Sequence, residues 1–318
     1  TQHREIEDII QEIHSLYKKG VRHFRLGNQS DFYAFQHKEW VKAQYPEPNP
    51  QAIKELLSSI RVLCPNLKTL HIDNVNPLNF VLYPKKAKEI TKLIIKYCTS
   101  GNIAALGIES LDPVVIQKNN LKVNQKQLLN IIQIINKHGN QVGENGLPKF
   151  LPGLNFIMGL PGESKKSLEI NYKFLLDLNK RELLIRRINL RKLLVSSNSC
   201  LTSHKISSHL HDFQTEYFHW RKKIRENIDH ENLKRLLPFA SVLKNNYKKK
   251  HLGKNTILRQ IGTYPIICYV PKRIPLKEFF NLQVIDHGLR SVTCVTFPTK
   301  IHETSLKELS AIPGIGKK

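Results

Sequence analysis

The stretch Leu154-Asn155-Phe156-Ile157-Met158-Gly159-Leu160-Pro161-Gly162-Glu163 joins a short apolar run to a Gly-x-Pro-Gly-Glu turn, and Ser164 then opens a helical pattern. These residues predict a buried strand, a glycine turn and a helix N-terminus. In an α/β protein such a turn sits at the carboxyl end of the strands, where ligands bind. Gly159 and Gly162 are suited to positive φ and close backbone approach, and Glu163 is expected to place a carboxylate at the mouth. An ordinary strand-to-helix turn uses the same residue types, so the other strand ends decide between the two. They carry polar groups as well: Gly27-Asn28-Gln29-Ser30-Asp31, Asp73-Asn74 and Glu109-Ser110.

The elements that must position these groups follow from periodicity. Ile6, Ile9, Ile10, Ile13, Leu16 and Tyr17 mark an amphipathic helix that Gly20 closes. A strand over 21–26 ends at Gly27. Pro50 starts a helix carrying Ile53, Leu56, Leu57 and Ile60, and a strand follows over 67–72. Ala87, Ile90, Leu93, Ile94 and Tyr97 mark the next helix, before a strand over 103–108. Leu128, Leu129, Ile132 and Ile135 lead into the strand of the opening stretch. Leu168, Tyr172, Leu175 and Leu176 mark a further helix, and 184–194 a fifth strand. Alternation of this kind calls for a parallel sheet with covering helices, open or part of a barrel. The pattern opens on a helix; a first strand and its loop are expected upstream of Thr1, the alternative being a natural half-barrel with a helical start.

At 318 residues and 40% hydrophobic content the chain is sufficient for one large domain and an accessory one. No apolar run approaches transmembrane length, and Thr1-Gln2-His3-Arg4 lacks the order of a signal peptide. Cys64, Cys98, Cys200, Cys268 and Cys294 are scattered, which encodes no zinc or iron–sulfur ligand cluster and suits a reducing cytoplasm. Fifty Lys and Arg against 26 Asp and Glu give a formal charge of +24. That excess points to a polyanionic partner, although a composition rich in Lys, Asn and Ile also makes a chain basic.

After Cys200 the pattern changes. A Ser/His-rich connector (Thr202-Ser203-His204, Ser207-Ser208-His209) precedes a helix with Tyr217, Phe218, Trp220, Ile224 and Ile228, and Lys248-Lys249-Lys250 closes a basic linker. Short strands are expected at 266–270, 282–285 and 292–295, enough for a small barrel of OB type. The tail from Leu306 to Lys318 reads as a helix followed by a glycine hairpin.

Together these features resemble the radical S-adenosylmethionine enzymes, and more closely the archaeal-type members with a C-terminal helix-hairpin-helix motif. The resemblance spans essentially the whole chain. It is carried by Arg22-His23-Phe24-Arg25-Leu26-Gly27, Gly107-Ile108-Glu109-Ser110, the Gly159–Glu163 turn and Ile312-Pro313-Gly314-Ile315-Gly316. It implies an α/β fold: a partial (β/α)6 barrel over 1–200 that lacks its first strand, and a helical connector over 201–251. A β domain similar to the TRAM domain of tRNA methylthiotransferases follows over 252–300, then the first half of a helix-hairpin-helix over 301–318. The cofactors implied are S-adenosylmethionine and a [4Fe–4S] cluster. Gly27, Asn28 and Gln29 stand where the family offers Gly-Gly-Glu to the cofactor amino group, with amides in place of the carboxylate. Glu109 and Ser110 stand at the ribose or methionine, although Glu109 also suits a barrel-mouth ion pair. Ile157, Gly159 and Glu163 stand behind the adenine, and Arg191 beside Lys192 at the cofactor carboxylate or the substrate.

The family's Cys-x-x-x-Cys-x-x-Cys loop is absent, and the cluster ligands are expected upstream of residue 1, so this stretch alone is expected to be inactive. The same resemblance assigns phosphate contacts to Gly314, Gly316 and Lys317, and base stacking to Tyr264, Tyr269 and Phe279. The partner it favours is RNA, tRNA among others, and the reaction a radical modification of that RNA. A radical enzyme acting on a protein or small molecule, and a non-catalytic nucleic-acid-binding protein on a degenerate barrel, remain the alternatives.

Overall fold

The computed structural model describes residues 3–37, 45–194, 215–275, 278–299, 302, 304 and 306–315. Its larger part is a parallel array in chain order. Helix α1 (Ile6–Lys18) precedes β1 (His23–Leu26), and α2 (Pro50–Leu63) leads into β2 (Thr69–Ile72). A break at Asp73 separates β2 from the two-residue β3 (Asn74–Val75), with α3 (Leu78–Leu82) and α4 (Pro84–Tyr97) after it. Next come β4 (Asn102–Glu109), α5 (Pro113–Lys118), α6 (Gln125–Gly139), β5 (Phe150–Met158), α7 (Lys165–Lys180) and β6 (Arg187–Lys192). β1 pairs with β2, and β3, β4, β5 and β6 pair in that order, every pairing parallel.

The sequence builds these elements by familiar local chemistry. Asn49 accepts the Ala52 N–H at the start of α2, with Pro50 in the first turn where a missing N–H costs nothing. Asn124 and Gln127 form a reciprocal capping box on α6. The apolar stripes of α1, α2, α4, α6 and α7 then close a single core against one face of the strands, through Ile53, Leu57, Ile90, Ile94, Ile132, Leu154 and Phe156 among others. Consecutive parallel strands in chain order with helices on one side leave the opposite face free of them.

That face is covered at its lower end by a second unit. A helix α8 over 215–224 passes through a π turn at Arg225–Asp229 into α9 (His230–Leu236). Strands β7 (Val242–Leu252), β8 (Asn255–Gln260), β9 (Ile267–Val270), β10 (Phe279–His287) and β11 (Ser291–Phe297) close a barrel in the order β10-β11-β9-β8-β7. All of its pairs are antiparallel except β9 with β11. Its core joins Leu243, Leu258, Cys268, Val284 and Val292 to Leu147 and Leu151 of the parallel unit. The fold is therefore mixed α/β, with parallel sheets and a closed five-stranded barrel.

Several strand boundaries differ from the expectation by a few residues, two of them at the borders of the units. The fifth long strand is shorter, Arg187–Lys192. Lys248-Lys249-Lys250, expected to close a linker, lie in β7, so the barrel begins ten residues before position 252. The alternation is hidden because two inward positions of β7 are polar. Asn246 is buried and donates to the carbonyls of Leu243 and Phe280, and buried Lys248 donates to the Ile274 carbonyl. The tail supplies α10 (Leu306–Ala311), whose buried Glu308 pairs with Lys272 at 2.9 Å.

Candidate cofactor site at the strand ends

Strand alternation puts Gly153, Asn155 and Ile157 of β5 beside Arg187, Asn189 and Arg191 of β6, on the face opposite α1, α2, α4, α6 and α7. Leu154, Phe156 and Met158 point the other way into the core. Asn189 donates to Asn155 Oδ1 at 2.7 Å, and Arg187 Nε donates to Asn189 Oδ1. Across the face, Arg25 of β1 pairs with Asp73 after β2. The open face is thus lined with polar groups held by one another.

Glu109 is the most constrained of the expected residues. A bulge between Gly107 and Glu109 interrupts the β4–β5 register, and Glu109 takes φ +64°. A left-handed backbone at a residue with a long side chain costs about 1–2 kcal/mol. Its carboxylate folds back over Gly107, where a Cβ would stand 3.0 Å from Oε1. Oε2 is buried and has no hydrogen-bond partner among the described residues. Burial raises its pKa, and the positive charge of Arg191 works against that rise. A buried carboxylate oxygen with no donor is complementary to an N–H or O–H brought by a ligand.

The remaining expected residues divide. Asn28 is exposed, at φ +64°. Gln29 does not project: its amide donates to the Leu26 carbonyl at 2.8 Å, and its own carbonyl accepts from Asn74. Gly27 lies beside Asp73. Ser110 is fully buried and its hydroxyl accepts the Asp112 N–H, so it shapes the start of α5. Gly159 and Gly162 take φ +96° and +84°, as the turn requires.

Glu163 departs from its expected place at the mouth. It is buried, 4% exposed, and accepts the N–H groups of Gly159 and Leu160 within its own turn. The tight turn brings those donors closer than solvent. Burial, reinforced by the charge of Asp112, pushes its pKa up to about 7, and its Oε1 is buried without a partner.

Sequence reasoning named Asp31 only as one polar group at a strand end and passed over His71. Asp31 is buried and accepts from the backbone of Tyr33 and Asn76 and from the side chains of Tyr45 and Asn79. It ties the segment after β1 to β3 and α3. It also passed over Asn155, Asn189 and Arg187, whose spacing of two on adjacent strands is the signal that places them on one face.

Among the described residues no group of three His, Cys, Asp or Glu is arranged to hold a metal. Cys64 and Cys98 follow α2 and α4, at the end of the sheet away from Glu109, and Cys268 and Cys294 are buried in the five-stranded barrel. These thiols do not fit an iron–sulfur cluster. Cys200, the Ser/His connector, Gly316 and Lys317 lie outside the described residues. Gly314 takes φ +88° in the turn after α10.

No family model matches the chain. It is similar to an uncharacterized protein of Archaeoglobus fulgidus, 38% identical over 312 residues that make 98% of this chain and 58% of that protein. It is also similar to the uncharacterized protein MJ0274 of Methanocaldococcus jannaschii, 36% identical over 293 residues, 91% of this chain and 53% of that protein. The chain therefore spans between half and three-fifths of the length of these relatives. Coproporphyrinogen III oxidase (HemN) from Escherichia coli, described as a radical SAM enzyme, matches 67% of this chain and 52% of its own. The TM-score of 0.36 at 11% identity is too loose a likeness to define the fold. No helix among the described residues is long and apolar enough to cross a membrane.

Proposed function

We propose that the open face of the parallel array binds S-adenosylmethionine in a radical SAM enzyme, and that the whole protein acts on a structured RNA. The observation that carries the cofactor half is Glu109, a strained residue at a strand end with a buried carboxylate oxygen awaiting a donor. The amino group or a ribose hydroxyl of S-adenosylmethionine supplies such a donor, and Arg191 offers a cation to its carboxylate. Glu163 acts in this reading by fixing the Gly159 turn rather than by touching the ligand. With an iron–sulfur cluster the cofactor supplies hydrogen-atom abstraction. The cluster ligands belong, in this reading, to the part of the relatives' length that this chain does not span.

The RNA half rests on the barrel. Its order, three antiparallel strands with the third parallel to the fifth and the fourth closing on the first, is that of an OB-type barrel. Exposed Tyr247 and Phe279 lie side by side on its surface, ring centroids 5.5 Å apart, next to exposed Lys249 and Lys250.

Equilibrium dialysis of S-adenosylmethionine against the chain tests the cofactor half. Glu109→Ala is expected to weaken binding about 10- to 100-fold, the worth of a hydrogen bond to a charged group. Stability is expected to stay within about 1 kcal/mol, because Oε2 has no partner to lose. Unchanged affinity overturns the assignment.

A further inference from the structure

Helix α8 and the π turn after it present Tyr217, Arg221, Arg225 and Asp229 at a spacing of four, one stripe along the helix. That stripe lies against β6, the edge strand of the parallel array, whose Arg187 and Arg191 share one face by strand alternation. Arg290, from the turn between β10 and β11, closes the third side. The edge itself is sealed by side chains: Tyr217 donates to the Leu190 carbonyl at 3.2 Å and Arg290 to the Ile188 carbonyl at 3.4 Å. Between them is a cavity of about 280 Å³, and a second of about 390 Å³ adjoins it, sharing Arg187, Asp229, Tyr264 and Arg290 as lining.

The charge in this groove is unbalanced. Among the described residues five arginines line the first cavity against one carboxylate, Asp229, which reaches Arg290 at 3.4 Å. The second cavity adds Arg186, whose Nε is buried without an acceptor among the described residues and whose bond to the Tyr264 carbonyl uses one other nitrogen. Burial, then the neighbouring guanidinium groups, hold Arg186, Arg187 and Arg225 below the ordinary arginine value. Crowded cations with a buried, unanswered donor store repulsion that an anion relieves. Guanidinium forks match phosphate oxygens two at a time. The rings of Tyr217 and Tyr264 flank the space, Tyr264 with the Arg187 guanidinium 4.3 Å from its centroid.

We propose that this arginine groove, at the junction of β6, α8 and the five-stranded barrel, is a binding site for the phosphate groups of a nucleic-acid strand or nucleotide. It rests on the nucleic-acid half of the preceding reading; it shares Arg191 with the cofactor half, and its test leaves Arg191 in place. The groove lies along the length of β6, from Arg187 to Arg191, whereas the cofactor assignment depends on Glu109 at the end of β4.

The test compares the unsubstituted chain, Arg221→Gln with Arg225→Gln, and a control that removes two charges elsewhere, Lys88→Gln with Lys92→Gln on the exposed side of α4. Fluorescent oligouridine is titrated over a salt series, with inorganic pyrophosphate as competitor. The arginine double variant is expected to bind at least tenfold more weakly. Its log–log salt slope should be shallower by roughly 0.7 for each single-strand phosphate that it no longer neutralises. The lysine control should match the unsubstituted chain. Efficient displacement by pyrophosphate identifies a terminal or free phosphate as the ligand, and resistance to it identifies the strand. Equal affinities for the arginine variant and the unsubstituted chain, or equal weakening in the arginine variant and the control, overturn the proposal. Absence of binding to either probe at low salt overturns it together with the RNA reading, while leaving the dialysis result for Glu109 unaffected.

Discussion

Two carboxylates that look alike in the sequence end in opposite situations. Glu109 keeps an unanswered oxygen on the open face, and Glu163 turns back on its own backbone. The difference follows from local geometry: Gly159 and Gly162 let the turn curl under Glu163, whereas Glu109 itself takes the left-handed position. Spacing shows that a carboxylate follows a strand, but not which way a four-residue turn aims it. Glu163 has a measurable signature. Its folded pKa of about 7 lies above the unfolded value of 4.5, so the folded state holds the extra proton between those values. Stability from this group is complete below pH 4.5 and falls as pH rises towards 7, by up to about 3 kcal/mol. Glu163→Gln keeps an acceptor for Gly159 and cannot ionise. Chemical denaturation at pH 5 and pH 8 is expected to show the variant gaining on the parent at the higher pH. Equal gaps at both values would mean that the carboxylate is not held neutral.

At the scale of elements, the loop between β8 and β9 couples the two units. Ile261 accepts from Thr69, the Thr263 N–H donates to His71 Nδ1 at 3.0 Å, and Tyr264 accepts from Arg186. Because Nδ1 is an acceptor, His71 carries its proton on Nε2, which donates to the Ser100 carbonyl at 3.2 Å. Gly262 permits this approach, since a Cβ there would stand 2.8 Å from the imidazole. Burial lowers the His71 pKa to about 4. A histidine kept neutral gives full stability above its unfolded pKa of about 6.5 and loses it as pH falls towards 4, by up to about 3 kcal/mol. His71→Asn should therefore lower stability at pH 7 yet flatten the loss between pH 6.5 and pH 4. An unchanged acid slope would remove His71 from that role. The Glu163 effect has the opposite sign over an overlapping range, so each substitution should unmask the other. Little of this junction was legible in advance. The helices and long strands were, because Ile53, Leu57, Ile90 and Ile132 repeat at helical spacing and Leu154, Phe156 and Met158 alternate. The docking loop has no period: Gly262-Thr263-Tyr264 reads as a turn, and its contacts with His71 lie 192 residues away. β7 escaped because Asn246 and Lys248 fill inward positions. The stripe of Tyr217, Arg221, Arg225 and Asp229 was in the sequence at a spacing of four, masked by the apolar stripe of Trp220, Ile224 and Ile228 on the same helix.

For the molecule as a whole, the charge of +24 sets the expected partner, but charge alone does not distinguish RNA from any other polyanion. Aromatic surface distinguishes strands with unpaired bases from duplexes and from polyanions without bases. Tyr247 and Phe279 are cross-strand partners of β7 and β10, 39% and 51% exposed, on a barrel whose core is already filled. Rings left outside a filled core are suited to stack on unpaired bases, which a duplex keeps internal. A folded or single-stranded RNA is therefore expected to bind more tightly than duplex DNA of the same charge. The two kinds of contact separate in a salt titration. Stacking releases no counterions, so Tyr247→Ala with Phe279→Ala should lower RNA affinity about tenfold or more, at roughly 1–3 kcal/mol per stacked base, without changing the salt slope. Removing arginines from the groove beside β6 should change the slope. Both aromatic substitutions are at exposed positions, and the unfolding transition should show the barrel intact. Equal affinity for RNA and duplex DNA, with no effect of the aromatic pair, would reduce the interaction to charge and remove the preference for RNA.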